Sequence, residues 1–141
     1  MANTPAFTNI FKQDLFNSAM TLGSDTIKLA LYDSNAAFTK ATVSYTATNE
    51  VGASGSYGAG GITMSGFTVS ISSDTAYIDW TVDPAATTAT ITARGCIIYN
   101  DTHASDHVMG TFDFGGNKTS TAGTFTVTLP AAGASATFTM A

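Results

Sequence analysis

The chain has 141 residues, a length that one domain accommodates and that allows a substantial buried core. Lys and Arg number 5 against 10 Asp and Glu, and this net charge of −5 with scattered basic residues excludes a nucleic-acid-binding surface, which needs clustered Lys and Arg. Charged residues make up 11% of the chain and threonine occurs 25 times, so a surface covered partly by neighbouring protein chains is favoured.

The N-terminal segment, residues 1–7, is predicted to be an extended arm. It has neither the basic start nor the apolar run of a Sec-type signal peptide, and no stretch of the chain approaches 18 apolar residues. We therefore expect neither export by that route nor membrane insertion. Pro5 and Phe7 are candidate contacts to a partner protein.

One α-helix is predicted, over residues 8–22. Apolar residues there recur at spacings of three and four, as an amphipathic helix requires: Phe7, Ile10, Phe11, Leu15 and Ala19. Thr8 or Asn9 is available as the N-cap, and Gly23 follows the expected end of the helix.

The first strand is predicted over residues 26–32. Ile27, Leu29 and Leu31 fall on one face of it, whereas Lys28 and Tyr32 fall on the other. This alternation predicts a half-buried strand.

Residues 33–61 form a long segment without periodicity that ends in a glycine-rich stretch. Long structureless loops are uncommon in compact domains unless they bind something or are disordered. We interpret the segment as a contact loop, with Tyr45, Glu50 and Tyr57 as anchors for a partner. A floppy loop is the alternative, and the sequence leaves open whether the segment is ordered alone.

The remainder of the chain alternates apolar and small polar residues with period two. Strands are predicted over residues 62–71, 76–82, 89–99, 108–114, 124–129 and 134–140. The first two form a hairpin with a four-residue turn, and Gly115 and Gly116 mark another turn. The predicted fold is mainly β, an antiparallel β-sandwich or jelly roll of about seven to eight strands with one N-terminal helix, in a single domain over residues 1–141.

Few residues offer chemistry. His103 and His107, flanked by Asp101 and Asp106, have metal-ligand side chains, but they lie in a polar turn without a defined third ligand. A solvated loop is the favoured interpretation, with metal binding left as an alternative. Cys96 stands alone in an apolar run and is predicted to be buried. We therefore expect no enzymatic activity, no cofactor and no metal.

Several segments resemble a family of small virion structural proteins of tailed bacteriophages. They cover most of the chain: residues 9–15, 27–32, 49–51, 93–100 and 112–123. The resemblance implies a particle component, most plausibly a capsid decoration (cement) protein, and transfers no active site.

From these observations we expect a non-enzymatic decoration protein that clamps adjacent major capsid subunits of the mature head. It would act as a homo-oligomer, with a trimer favoured, be made in the host bacterial cytoplasm, and reside on the capsid surface of the virion. The alternatives are a tail, neck or fibre-associated structural protein, and a carbohydrate- or receptor-binding module that uses the tyrosines and residues 101–107.

Overall fold

The computed structural model describes residues 6–133 and 136–140. Within them the chain forms eight strands and one helix. In chain order the elements are β1 (Ala6–Phe7), α1 (Asn9–Phe16), β2 (Ile27–Tyr32), β3 (Ile62–Thr63), β4 (Ser65–Ser72), β5 (Thr75–Val82), β6 (Ala85–Asn100), β7 (Val108–Thr126) and β8 (Phe138–Met140).

The strands form two antiparallel sheets. The larger sheet has the order β1-β7-β6-β2-β3, and the smaller one has the order β4-β5-β8. The chain crosses between the sheets at Met64, which separates β3 from β4, then between β5 and β6, and a third time between β7 and β8. The mainly β, two-sheet class predicted from the sequence is confirmed, whereas a jelly-roll connectivity is not established.

The main core lies between the two sheets. Leu29, Leu31 and Ile98 from the larger sheet share one buried cluster with Trp80 and Phe138 from the smaller sheet. The Phe138 ring is at its centre, within 6.0 Å of the ring centroids of four other aromatic residues: Phe7, Phe11, Trp80 and Phe112. Cys96 is buried in the same cluster, as predicted.

The helix is shorter than predicted. Thr8 is the N-cap, as expected, and its Oγ1 accepts a hydrogen bond from the backbone N–H of Phe11. The prediction that the helix continues to residue 22 is wrong, because Ser18 adopts a φ of 53° and the Ala19 N–H closes the last turn on the Asp14 carbonyl. Gly23 lies in a later turn, so it does not cap the helix.

Strands β6 and β7 form one long ribbon. The predicted turn at Gly115 and Gly116 is wrong, since both lie inside β7, and the strands expected at residues 108–114 and 124–129 are one. Gly115, with a φ of 76°, lies within a stretch of irregular pairing. A Gly-Gly pair is a turn signal locally, but here Asp113 and Lys118 on either side both pair with β6, so residues 114–117 form a bulge within the strand.

Other predicted boundaries also change. The strand predicted over residues 62–71 is divided at Met64 into β3 and β4, and the strand predicted over residues 89–99 begins at Ala85. The predicted four-residue turn at residues 72–75 is present, and because Ser72 pairs with Thr75, each strand reaches one residue further than expected, with Ser73 at a φ of 53°. The last strand, predicted over residues 134–140, is Phe138–Met140, and residues 134 and 135 lie outside the described residues.

The close approach of β7 to the Phe138 ring predicts a stability effect. A Cβ added at Gly110 would lie 2.5 Å from Cε1 of Phe138, whereas one added at Gly116 of the same strand meets nothing within 4 Å. Gly110→Ala should therefore lower the free energy of unfolding by about 1–3 kcal/mol. Urea denaturation measures this effect, with Gly116→Ala as the matched control expected near wild type. Equal stability of the two variants would contradict the described packing.

Candidate functional site

Within residues 33–61, Ala36, Phe38 and Tyr45 cover the outer face of the larger sheet, whereas Val51 and Tyr57 pack against the main core. A second buried cluster joins β2, β6 and β7 to this segment, and its members are Ala30, Tyr32, Ala36, Phe38, Ile97, Tyr99 and Val108. The Tyr32 side chain is fully buried and meets the Phe38 ring edge-on at 4.6 Å. The prediction of a half-buried strand at residues 26–32 is therefore wrong for the face that carries Tyr32, because the following segment folds back over that face.

Glu50 holds this segment together. Its Oε2 accepts a hydrogen bond from the Tyr45 hydroxyl at 2.5 Å, and its Oε1 accepts from the Tyr57 hydroxyl at 2.8 Å and from the Gly60 N–H at 2.9 Å. We call Glu50 and its two tyrosine partners the Glu50 network. Hydrogen bonds to a charged carboxylate are stronger than neutral ones, so this network ties together three points of the segment.

The network is joined to the sheet by further hydrogen bonds and by ring stacking. The Tyr57 hydroxyl accepts from the Leu31 N–H at 2.9 Å, which links Glu50 directly to β2. Tyr99 donates its hydroxyl to the Gly60 carbonyl at 2.7 Å, and its ring stacks on Tyr45 with centroids 4.7 Å apart. The segment is thus bonded to both central strands of the larger sheet.

This environment favours neutral tyrosines. Burial, followed by the hydrogen bond to Glu50, raises the pKa of Tyr45 to about 12. Burial also raises the pKa values of Tyr32, Tyr57 and Tyr99 above the ordinary tyrosine value. A phenolate here would lose hydration and stand close to the Glu50 carboxylate.

The five predicted contact residues have different positions. Tyr45, Glu50 and Tyr57 were predicted as anchors for a partner protein. In the structure they lie together but form hydrogen bonds with one another, and Tyr57 is only 1% exposed. Their observed contacts hold the segment on its own domain. Phe7 belongs to β1 and stacks on Phe11, with centroids 5.0 Å apart. Pro5 lies outside the described residues.

A third group of side chains consists of Asp14, His103 and His107, of which only the two histidines were singled out from the sequence. His107 lies with Nδ1 2.7 Å from Oδ2 of Asp14 in α1, and the His103 and His107 rings stack with centroids 3.9 Å apart. Asp14 is 4% exposed. No sequence signal connects residue 14 to the loop at residues 101–107, because the contact depends on how α1 packs beside β7. These three residues could hold a metal, since their ligand atoms lie within 4.8 Å of one another.

One apolar surface is formed by exposed side chains of the smaller sheet and of the end of α1. We call it the apolar face and define it by Phe16, Val69, Ile71 and Met140, whose exposed fractions are 88%, 65%, 73% and 53%. Val69 and Ile71 continue the inward side of β4, and Ala76 links Ile71 to Met140 by strand pairing. Phe7 and Met140 both line the two grooves that connect this face with α1. The sequence predicted these alternating positions but not which of them are uncovered.

The described surface also contains a cleft of about 420 Å³ near the far end of the β6–β7 ribbon. Its lining consists of phenylalanine, valine and threonine side chains with Lys118. Such a lining brings no acid and base together for catalysis.

Comparisons with known protein families, with curated proteins and with solved structures find no match for this chain. Among the described residues, the helix is too short and too polar to cross a bilayer.

The Glu50 network predicts a measurable contribution to stability. Glu50→Ala removes the acceptor of two hydroxyls and one backbone N–H, so we expect a loss of about 1–3 kcal/mol in the free energy of unfolding. Amide hydrogen exchange should become faster across residues 33–61. Asp74→Ala, in the exposed β4–β5 turn, is the control and should leave both measurements near wild type. Unchanged exchange in the Glu50 variant would contradict the proposed anchoring.

The tyrosine pKa values predict alkaline instability. Unfolded tyrosines ionise near pH 10, whereas these four resist ionisation in the folded state, so their contribution is complete below about pH 10 and is lost as the pH rises further. The urea midpoint should fall between about pH 8 and about pH 11, with a smaller fall in Tyr45→Phe. A wild-type midpoint that is constant over this range would contradict the prediction.

Proposed function

We propose that the chain is a non-enzymatic structural protein of a tailed-phage virion, a capsid decoration protein that clamps adjacent major capsid subunits on the mature head. The resemblance over residues 93–100 and 112–123, among others, suggests the particle. The main observation that supports a contact with a capsid partner is the apolar face.

The apolar face suits a protein partner better than solvent. Four large apolar side chains that are each more than half exposed lie around connected grooves lined by Phe7 and Met140. Contiguous exposed apolar patches of soluble proteins typically mark interaction sites. Because only 11% of the residues are charged, burial of apolar area would dominate such a contact.

The mechanism follows from differential binding. A head that expands during packaging separates its subunits, and a protein that fits only the final arrangement stabilises that arrangement. We assign the apolar face to the capsid contact and propose a homotrimer as the bound form, since several linked copies make weak individual contacts effective. The trimer and the capsid partner are parts of this proposal.

The alternatives use different surfaces. A tail, neck or fibre protein would use the same apolar face at another place in the particle. A carbohydrate-binding module would need accessible aromatic rings, whereas Tyr32, Tyr57 and Tyr99 are buried and hydrogen-bonded within the domain. The described contacts therefore favour a structural role over sugar stacking.

Binding to heads tests the clamp. The purified protein should co-sediment with expanded heads and not with unexpanded ones. Ile71→Lys places a charge on the apolar face and should weaken binding at least about tenfold, or ~1.4 kcal/mol. Ser70→Lys adds the same charge to the opposite side of β4, where Ser70 is exposed, and should bind like wild type.

Equal binding to both kinds of head, or none, would overturn the clamp, and equal effects of the two lysine variants would remove the apolar face from the contact. Antibody labelling of virions gives the location. Label over the whole head supports decoration, label at one vertex or along the tail supports the alternative, and particles without label contradict both. Binding to a glycan array would instead support the carbohydrate-binding module.

A further inference from the structure

We propose that Asp14, His103 and His107 form a binding site for one divalent transition-metal ion of the zinc class. One carboxylate from α1 and two imidazoles from the β6–β7 loop meet there, with one ligand atom from each residue within 4.8 Å of the others. The chain contains two histidines in all, and their rings are in contact at 3.9 Å. This inference concerns a different surface from the apolar face and does not depend on the proposed function.

The donor set selects the metal. Two imidazole nitrogens and one carboxylate oxygen suit Zn²⁺ and its neighbours Co²⁺, Ni²⁺ and Cu²⁺. Mg²⁺ and Ca²⁺ prefer oxygen ligands throughout, so they should bind poorly. Three protein ligands complete a tetrahedral zinc site when water takes the fourth position.

The existing contacts already bring two of the ligands together. Nδ1 of His107 lies 2.7 Å from Oδ2 of Asp14. A metal ion between them would replace the proton that they share, and this proton would be released to solvent. Asp14 is almost fully buried, so its carboxylate requires a nearby positive group or a strong donor. A metal ion satisfies this requirement more completely than one hydrogen bond.

His103 must turn to complete the site. The two ring planes differ by 23° and stack with centroids 3.9 Å apart, so their nitrogen lone pairs lie in two nearly parallel planes, whereas a shared metal needs lone pairs that converge on one point. Nδ1 of His103 accepts the Ser105 N–H at 3.2 Å, so this nitrogen carries a lone pair. A tetrahedral zinc site places its ligand atoms about 3.4 Å apart. The Asp14 and His107 ligand atoms, now 2.7 Å apart, would therefore separate slightly, and His103 would rotate in its half-buried turn to bring its nitrogen to the ion.

A bound ion would connect parts of the chain that are distant in sequence. Asp14 lies in α1, while His107 immediately precedes β7 and bonds through its carbonyl to the Asn100 N–H at the end of β6. The ion would therefore cross-link the helix to the end of the β6–β7 ribbon. Because the site exists only in the folded chain, the metal should stabilise the protein.

The test is a calorimetric titration of the metal-stripped, full-length protein with Zn²⁺, accompanied by thermal unfolding. Wild type should bind one ion per chain and unfold at a higher temperature with Zn²⁺ than with a chelator or with Mg²⁺. His103→Gln and His107→Gln should each weaken Zn²⁺ binding at least about tenfold. Asp106→Asn, in the same loop but outside the trio, should bind like wild type.

Co²⁺ provides a second readout that folding defects do not imitate. Visible absorption bands of tetrahedral intensity should appear with wild type and Asp106→Asn and disappear with His103→Gln, a turn residue whose replacement should leave the fold intact by circular dichroism. Absence of one-to-one Zn²⁺ binding to wild type would overturn the proposal. Wild-type affinity in both histidine variants would overturn it as well, since imidazole ligands can come from nowhere else in this chain.

Discussion

The central strand pair β2–β6 must be covered on both faces, and the rest of the structure depends on how this is achieved. The smaller sheet covers one face through Trp80 and Phe138, while the first part of residues 33–61 covers the other through Ala36, Phe38 and Tyr45. This second layer has little regular structure of its own. The Glu50 carboxylate compensates for that, because it collects two tyrosine hydroxyls and a backbone N–H at one point and reaches β2 through Tyr57.

The smaller sheet is covered less completely, and its uncovered side is the surface to which we assign the proposed capsid contact. The inward side of the smaller sheet is buried at Trp80 and Phe138 but exposed at Val69 and Ile71. Hydroxyl groups from threonine occupy much of the remaining surface, so the apolar face stands apart from its surroundings. The core is thus buried within the domain, whereas the apolar face is suited to contact with another polypeptide. That arrangement is the physical basis of the virion role proposed above.

The period-two alternation was sufficient to predict the β class and the β4–β5 hairpin, because these depend on neighbours close in sequence. It failed at Gly115 and Gly116, which lie in a bulge between two residues that pair with β6, and at Ser18, where an unexpected backbone conformation ends the helix. The candidate residues Tyr45, Glu50 and Tyr57 were identified as a group from their segment. Their mutual hydrogen bonds were not predictable, since the backbone path of a long irregular segment has no periodic signature.

The sequence by itself determined the chemical repertoire: few charges, abundant hydroxyl groups, two histidines, one cysteine and strand-forming alternation. These follow from residue type and spacing, which act over a few residues. Only the tertiary structure decided that residues 33–61 face their own sheet, that Asp14 meets His107, and that Ile71 remains uncovered. Each of those outcomes is a contact, or a missing contact, between segments far apart in the chain, and it is fixed by how complete layers pack together.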